Sequence, residues 1–455
     1  MVLPFLKNDY AKWSLIVLTG SLFASFLNYA FTLIMGRMLS PSFFGEVSAI
    51  FGLMVIIVAP TQAISNYISR HISFLAGKKD YLTAKVWLRK VSRSVFFFSL
   101  ALLFLFWLAV PMLSRFLAID PLPLIVFSFS IPFAFMLTVY AGALQGLKSF
   151  KAFSFQNILG AALKLSLAVI FVYIGLFVPG VMLALAVSLG AVCFYNYTKI
   201  KSLTSFTPHT SEDTLGEAIK SIFFRQRRIR LWRTKSFPPV FARALVELKR
   251  WRAGLTVFLA ALLVAFISNI DVILAKHFFE PQLAGEYAAL SAVGKILIYI
   301  ASAFVTVMFV VVSESHTASS PRTFKAFRSA LGYITAVSLP VIFVFGFAPN
   351  IVVRIFFGAT YIKIAPHLPI FSIAMFLLSL SIAFVHYFLA IRNNSFLFPF
   401  AAGALLQIVL ISLYHSSIQN IVISVLWSST FLLFALVANY FLYGKFQTKR
   451  ESGKI

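Results

Sequence analysis

The chain has 455 residues, 60% of them hydrophobic, 16% aromatic and only 11% charged, with a mean hydropathy of +0.93. A soluble domain carries about a quarter charged residues, and a chain this apolar has too little polar surface to cover an exterior in water, so a soluble globular fold is excluded. The 39 Lys and Arg against 13 Asp and Glu leave a net charge of +26. Where those cations sit is the second question.

The single cysteine, Cys193, excludes an intramolecular disulfide and any cysteine-built metal cluster. Seven scattered histidines show no HExxH or similar spacing. No metal and no bound cofactor is expected. The first apolar run, residues 13–36, is 24 residues long. That is enough to span and too long for the short core of a cleaved signal.

A membrane-crossing helix needs about 20 apolar residues at about 1.5 Å each. In chain order this predicts twelve spans: 13–36, 44–66, 94–114, 122–146, 154–176, 179–197, 253–275, 285–312, 329–347, 366–389, 395–416 and 419–443. The 348–365 connection has room for a half-helix. With the N-terminus inside, connections on the cytoplasmic side hold 32 of the 39 cations; the outer connections hold Arg37, Arg115, Lys276, Arg354 and Lys363. The positive-inside bias therefore predicts both termini in the cytoplasm of a multi-pass cell-membrane protein. The outer connections carry only two acids, Asp120 and Glu280. A membrane transferase acting on polyprenyl lipids needs acid/base groups in sizeable loops, so this reading ranks low.

An internal repeat joins the halves. Pro41-x-x-x-Gly45-Glu46 recurs as Pro281-x-x-x-Gly285-Glu286, 240 residues on, each after a span that ends in a basic residue, Arg37 or Lys276. Gly160-Ala-Ala-Leu-Lys-Leu165 pairs with Gly403-Ala-Leu-Leu-Gln-Ile408 at an offset of 243. The fold expected is all-α and polytopic, with two parallel six-helix halves about a central cavity, an arrangement suited to alternating access. Its divisions are 1–197, a basic linker 198–252, 253–443 and a tail 444–455. The linker carries Arg225-Gln-Arg-Arg-Ile-Arg230 and then, after Pro238-Pro239, the amphipathic spacing of Phe241, Leu245 and Leu248. This predicts an in-plane helix on anionic lipids, with no nucleic acid as partner. Gly142-Ala-Leu-Gln-Gly-Leu-Lys-Ser149 approaches a phosphate loop, but Leu147 stands where the second glycine belongs and a helix precedes it.

Three stretches, Gly36–Gly45, Leu144–Phe150 and Asn269–Ala288, taken in order on twelve spans, resemble the polysaccharide-type flippases of the multidrug/oligosaccharidyl-lipid/polysaccharide exporter superfamily. The resemblance covers both halves outside the linker. It implies translocation of polyprenyl-pyrophosphate-linked oligosaccharide to the outer leaflet, without covalent chemistry and alongside glycosyltransferases of the same pathway. A cation-coupled small-molecule exporter of the same superfamily is the alternative. Phe309-Val-Val-Val-Ser-Glu314 lacks a proline common there, and the arginine cluster of related lipid II flippases is unmatched.

Buried charge marks the candidate site, because an ionised side chain at mid-bilayer costs at least about 2.5–3.5 kcal/mol. Lys164, ten residues into the fifth span, is the first candidate for meeting a pyrophosphate. Its repeat counterpart Gln407, Lys295 in the eighth span and Arg37 at the outer end join it as substrate residues. Asp271 is the candidate for a coupling Na⁺ or H⁺, if transport is not driven by membrane potential alone, and reads equally as an interfacial aspartate that ties the seventh span to a neighbour. Depth in antiparallel spans argues against a direct Asp271–Lys295 pair. Glu46 and Glu286 read as first-turn acids held by the helix dipole.

Overall fold

A computed structural model of the chain describes residues 9–205, 240–314 and 321–451. They are helical, with no strand among the described residues. The first half comprises α1 (Asp9–Met38), α2 (Pro41–Val58), α3 (Thr61–Gly77), α4 (Tyr81–Leu117), α5 (Pro121–Ser128), α6 (Ser130–Gly146), α7 (Phe150–Tyr173) and α8 (Phe177–Ser205). The second comprises α9 (Val240–Ile267), α10 (Ile270–Phe278), α11 (Pro281–Gly294), α12 (Ile296–Glu314) and α13 (Pro321–Phe347). It continues with α14 (Pro349–Phe356), a 3₁₀ stretch (Ala359–His367), α15 (Leu368–Ala390), α16 (Leu397–Leu413) and α17 (Ile418–Glu451). Ten helical segments are long and apolar enough to cross a membrane; the bent pair α9/α10 and the shorter α16 bring the spans to twelve. The half-helix allowed for between 348 and 365 is α14 with the 3₁₀ stretch.

The spans begin where proline permits. Pro41, Pro121, Pro281 and Pro349 each stand in the first turn of a helix, where a missing N–H costs nothing and the fixed φ suits the helix. Two expectations change. The 67–93 connection is not a loop: α3 and α4 form a helical hairpin that turns over Lys78–Asp80, with Lys79 at φ 58°. Asp80 Oδ1 there accepts the Thr83 N–H at 3.1 Å. With 37 residues, α4 is about 55 Å long against a hydrocarbon core of about 30 Å, so its basic start stands clear of the core. Nor is there a separate in-plane helix after Pro239, because α9 runs unbroken from Val240 into the seventh span. The rest of the linker, with the Arg225–Arg230 run, lies outside the described residues.

The repeat extends from the motifs to the packing. In the first half α1 packs on α7, α3 and α4 on α6, α7 on α8, and α6 on α8. In the second, α9 packs on α16, α12 and α13 on α15, α16 on α17, and α15 on α17. Numbered by span, these are the same pairs moved on by six. The glycines of the phosphate-loop lookalike serve this packing. A Cβ on Gly142 would lie 2.6 Å from the Ser65 carbonyl, and one on Gly146 2.7 Å from that of Ser69. They let α6 and α3 touch backbone to backbone, as small residues do between membrane helices.

Candidate functional site

The halves meet at the end that carries the two repeat motifs. There α2 crosses α11 so closely that a Cβ on Gly45 would stand 2.9 Å from the Gly285 amide nitrogen, and one on Gly285 would overlap the Pro41 carbonyl. The motif picked out by the repeat is thus the contact between the halves. Around it, Phe44 sets its ring edge-on against Phe357 and Tyr361, and Phe116 stacks on His277 with centroids 4.0 Å apart.

Charge reinforces this seal. Glu46 of α2 and Lys276 of α10 form an ion pair at 3.9 Å, with the lysine side chain only 1% exposed. Arg37 Nε donates to the Phe356 carbonyl at 3.0 Å, and its guanidinium also reaches the Ile355 carbonyl. Arg37 therefore clasps the end of α14 across the seam. Glu46 and Glu286 were expected in the first turn, but the helices start at the prolines and neither first turn holds an acid. Both carboxylates sit one turn deeper, out of reach of the helix terminus. The cross-seam lysine holds Glu46. Glu286 is buried near Tyr361.

Removing the glutamate charge alone strands a buried ammonium, which is costlier than losing the pair. Glu46→Gln is therefore expected to loosen the seal, read as faster thiol labelling of a cysteine placed at the buried Ala49, and Glu46→Gln with Lys276→Met to restore protection. Equal labelling in all three proteins would show that the pair contributes nothing.

Asp271 and Lys295, expected to lie at different depths, are paired. The chain breaks by 42° between α9 and α10, because the Asn269 backbone N–H turns to the Phe266 carbonyl and its side-chain amide takes the Ala265 carbonyl at 2.8 Å. That break begins α10 in the protein interior and sets Asp271 in its first turn, where the dipole favours a carboxylate. Tyr287 and Ser291 of α11 and Lys295 at its C-terminal cap, each four residues apart, face it. Tyr287 Oη and Ser291 Oγ donate to Asp271 Oδ2 at 3.1 and 3.0 Å, and Lys295 Nζ to Oδ1 at 3.4 Å. Lys295 does start one turn deeper, but a lysine stem of about 6 Å covers the 5.4 Å pitch. Asp271 thus ties α10 to the following span, with a lysine ammonium against the carboxylate named as the coupling-ion candidate.

Lys164 lies apart from both clusters, in the interior of the first half. Its Nζ donates to Asn28 Oδ1 of α1 at 2.6 Å and stands 4.4 Å from the Phe31 ring centroid and 5.4 Å from that of Phe51. Its hydrogen-bond partner is a neutral amide. Asn28 shares one helix stripe with Ala24, Phe31 and Met35, which are all buried, yet is itself exposed. Gln407 is 2% exposed within α16 and is not brought to Lys164. In the second half a cavity of about 200 Å³ lies among α9, α12 and α15, lined by Val264, Ser268, Ile298, Val305, Ser379 and His386. The buried Ser268 hydroxyl there has no partner. Among the described residues no group of three or more His, Cys, Asp or Glu is placed to hold a metal.

Sequence reading missed Asn28, Phe31 and Phe51, whereas the tie that Asp271 makes to the next span was one of its two readings. The four-residue spacing of Tyr287, Ser291 and Lys295 was a readable signal. The other residues sit on helices far apart in sequence and left none.

Two six-helix halves with corresponding helix pairs meet about a shared seam. Known structures agree. The chain superposes on a multidrug resistance MATE family transporter of the MOP superfamily in its inward-facing conformation, with a TM-score of 0.70, 15% identity, and 95% of this chain and 97% of that one covered. The outward-facing conformation of such a transporter gives 0.61 at 16% identity, with 97% of each chain covered. The lipid II flippase MurJ, inward closed, gives 0.62 at 14% identity, covering 92% of this chain and 87% of that one. No family model matches the sequence, and no curated protein does.

Proposed function

We propose that the chain flips a polyprenyl-pyrophosphate-linked oligosaccharide from the cytoplasmic to the outer leaflet by alternating access, for the synthesis of a surface polysaccharide. The observation that carries this reading is Lys164: an interior cation bonded to a neutral amide, whereas Lys276 and Lys295 face carboxylates. Among the described residues no carboxylate forms an ion pair with it, and an anionic headgroup supplies what it lacks. The lipid tail stays in the bilayer, so no covalent step and no cofactor is needed.

The positive-inside bias puts the sealed motif end outside. In this reading the structure is the inward-facing state, which is also the neighbour conformation it superposes on better. Substrate enters from the basic side, where Arg70, Lys78, Lys79, Arg89, Lys90 and Arg93 of the α3/α4 hairpin attract anionic lipid. Opening to the outside requires Glu46–Lys276 and the Arg37 clasp to part. Asp271, with Lys295 on it, is the element that a proton or the membrane potential would act on.

Removal of the protein is expected to leave the lipid-linked sugar on the cytoplasmic leaflet. In proteoliposomes Lys164→Ala should slow translocation at least tenfold and Lys164→Arg should keep part of it. Normal outward delivery without the protein refutes the flippase, and wild-type rates in Lys164→Ala refute the site. The 200 Å³ cavity beside Ser268 and His386 favours a second reading, a small-molecule exporter. It predicts uptake of organic cations by vesicles holding the wild-type chain.

A further inference from the structure

Two phenyl faces and an amide oxygen surround the Lys164 ammonium. Phe31 and Phe51 lie 5.4 Å apart at 52° to each other, so each turns part of its face to Nζ while Asn28 Oδ1 accepts a short hydrogen bond at 2.6 Å. This is the chemistry by which proteins recognise alkylammonium ligands: ring quadrupoles and a carbonyl dipole hold a cation without a formal negative charge. The usual ligand is external. Here it is the chain's own side chain, reaching over from α7 to a pocket whose walls belong to α1 and α2.

We propose that Asn28, Phe31 and Phe51 form an alkylammonium site occupied by Lys164 itself, and that this occupancy sets the charge selectivity of the first half. With the ammonium in place the interior presents a fixed positive charge and no vacant cage, so organic cations are shut out and an anionic headgroup is met. With it removed, the same walls take a small organic cation. The second part is a property of the pocket alone. The first rests on the anionic substrate proposed above.

The test uses the full chain, purified, with radiolabelled tetramethylammonium and n-propylammonium as probes; the latter matches the atoms lost in Lys164→Ala. Wild type and Lys164→Met, which refills the volume without charge, should show no saturable binding. Lys164→Ala should bind both probes, and adding Phe51→Leu should weaken that binding at least tenfold. Lys164→Cys gives an independent route, since the one native cysteine, Cys193, is buried. It should bind tetramethylammonium while its thiol is free and lose that binding when capped either with an aminoethyl disulfide, which rebuilds a lysine-like arm, or with a methyl disulfide, which refills the volume as methionine does.

Binding by wild type as strong as by Lys164→Ala, no binding by a monodisperse Lys164→Ala or Lys164→Cys, or binding indifferent to Phe51→Leu overturns the proposal. Flipping of the pyrophosphate-linked lipid is scored separately. If Lys164→Ala gains the cation but flips as wild type does, the cage stands and the flippase assignment of Lys164 falls.

Discussion

Gly285→Ala is expected to force the two halves apart at the motif end. The added Cβ would overlap the Pro41 carbonyl, and neither partner is a side chain able to rotate away, since both are helix backbone. Overpacking of this kind costs about 1–3 kcal/mol and more where nothing yields. At about 1.4 kcal/mol per tenfold, a 3 kcal/mol penalty on the sealed state alone shifts its population against the open one about a hundredfold. Gly45→Ala should act the same way but less, because its Cβ would meet the Gly285 nitrogen and Cα at 2.9 and 3.0 Å. Spin labels at the exposed positions 38 and 363, on opposite sides of the seam, would read the change as a longer distance in both variants, with Gly285→Ala the larger. Wild-type distances in Gly285→Ala would mean that α2 and α11 do not control the seal.

The second large effect is expected at Asp271. Its carboxylate accepts from Tyr287, Ser291 and Lys295 with 2% of the side chain exposed, so Asp271→Ala strands an ammonium and two hydroxyls in the interior. Breaking a buried pair on one side costs about 3–5 kcal/mol, whereas replacing both partners by apolar groups is often neutral. Thermal unfolding in detergent should show Asp271→Ala far below wild type and Asp271→Leu with Lys295→Met close to it. Transport separates structure from function. If the pair only stabilises α10 against α11, the double variant should transport normally; if it is part of the driving cycle, the variant should be stable and inactive. A single variant as stable as the double would show that Lys295 finds another partner once the aspartate is gone.

Both predictions concern residues whose importance the sequence marked only in part. The Pro-x-x-x-Gly-Glu repeat was visible at an offset of 240 residues. That its two copies touch each other was not, because nothing local to either copy encodes the crossing of α2 and α11. Asp271 and Lys295 stood out as charges in apolar spans. Straight antiparallel helices placed them at different depths, and both the Asn269 break and the reach of the lysine stem contradict that placement. Glu46 was assigned to a helix dipole on a start judged by hydropathy, which falls a turn later than the start that Pro41 sets.

By itself the sequence determined the all-helical membrane class, the twelve spans, the doubling of six helices and the gathering of cations toward one end. Each follows from hydropathy, proline placement or charge counted along the chain, and such quantities need no knowledge of what lies across a helix. Only the tertiary structure decided which charges neutralise one another and which are left over. Lys164 and Asn28 are 136 residues apart, Arg37 and Phe356 319. In a low-dielectric interior a partner a few ångströms away determines whether a cation is a strut or a ligand-binding group.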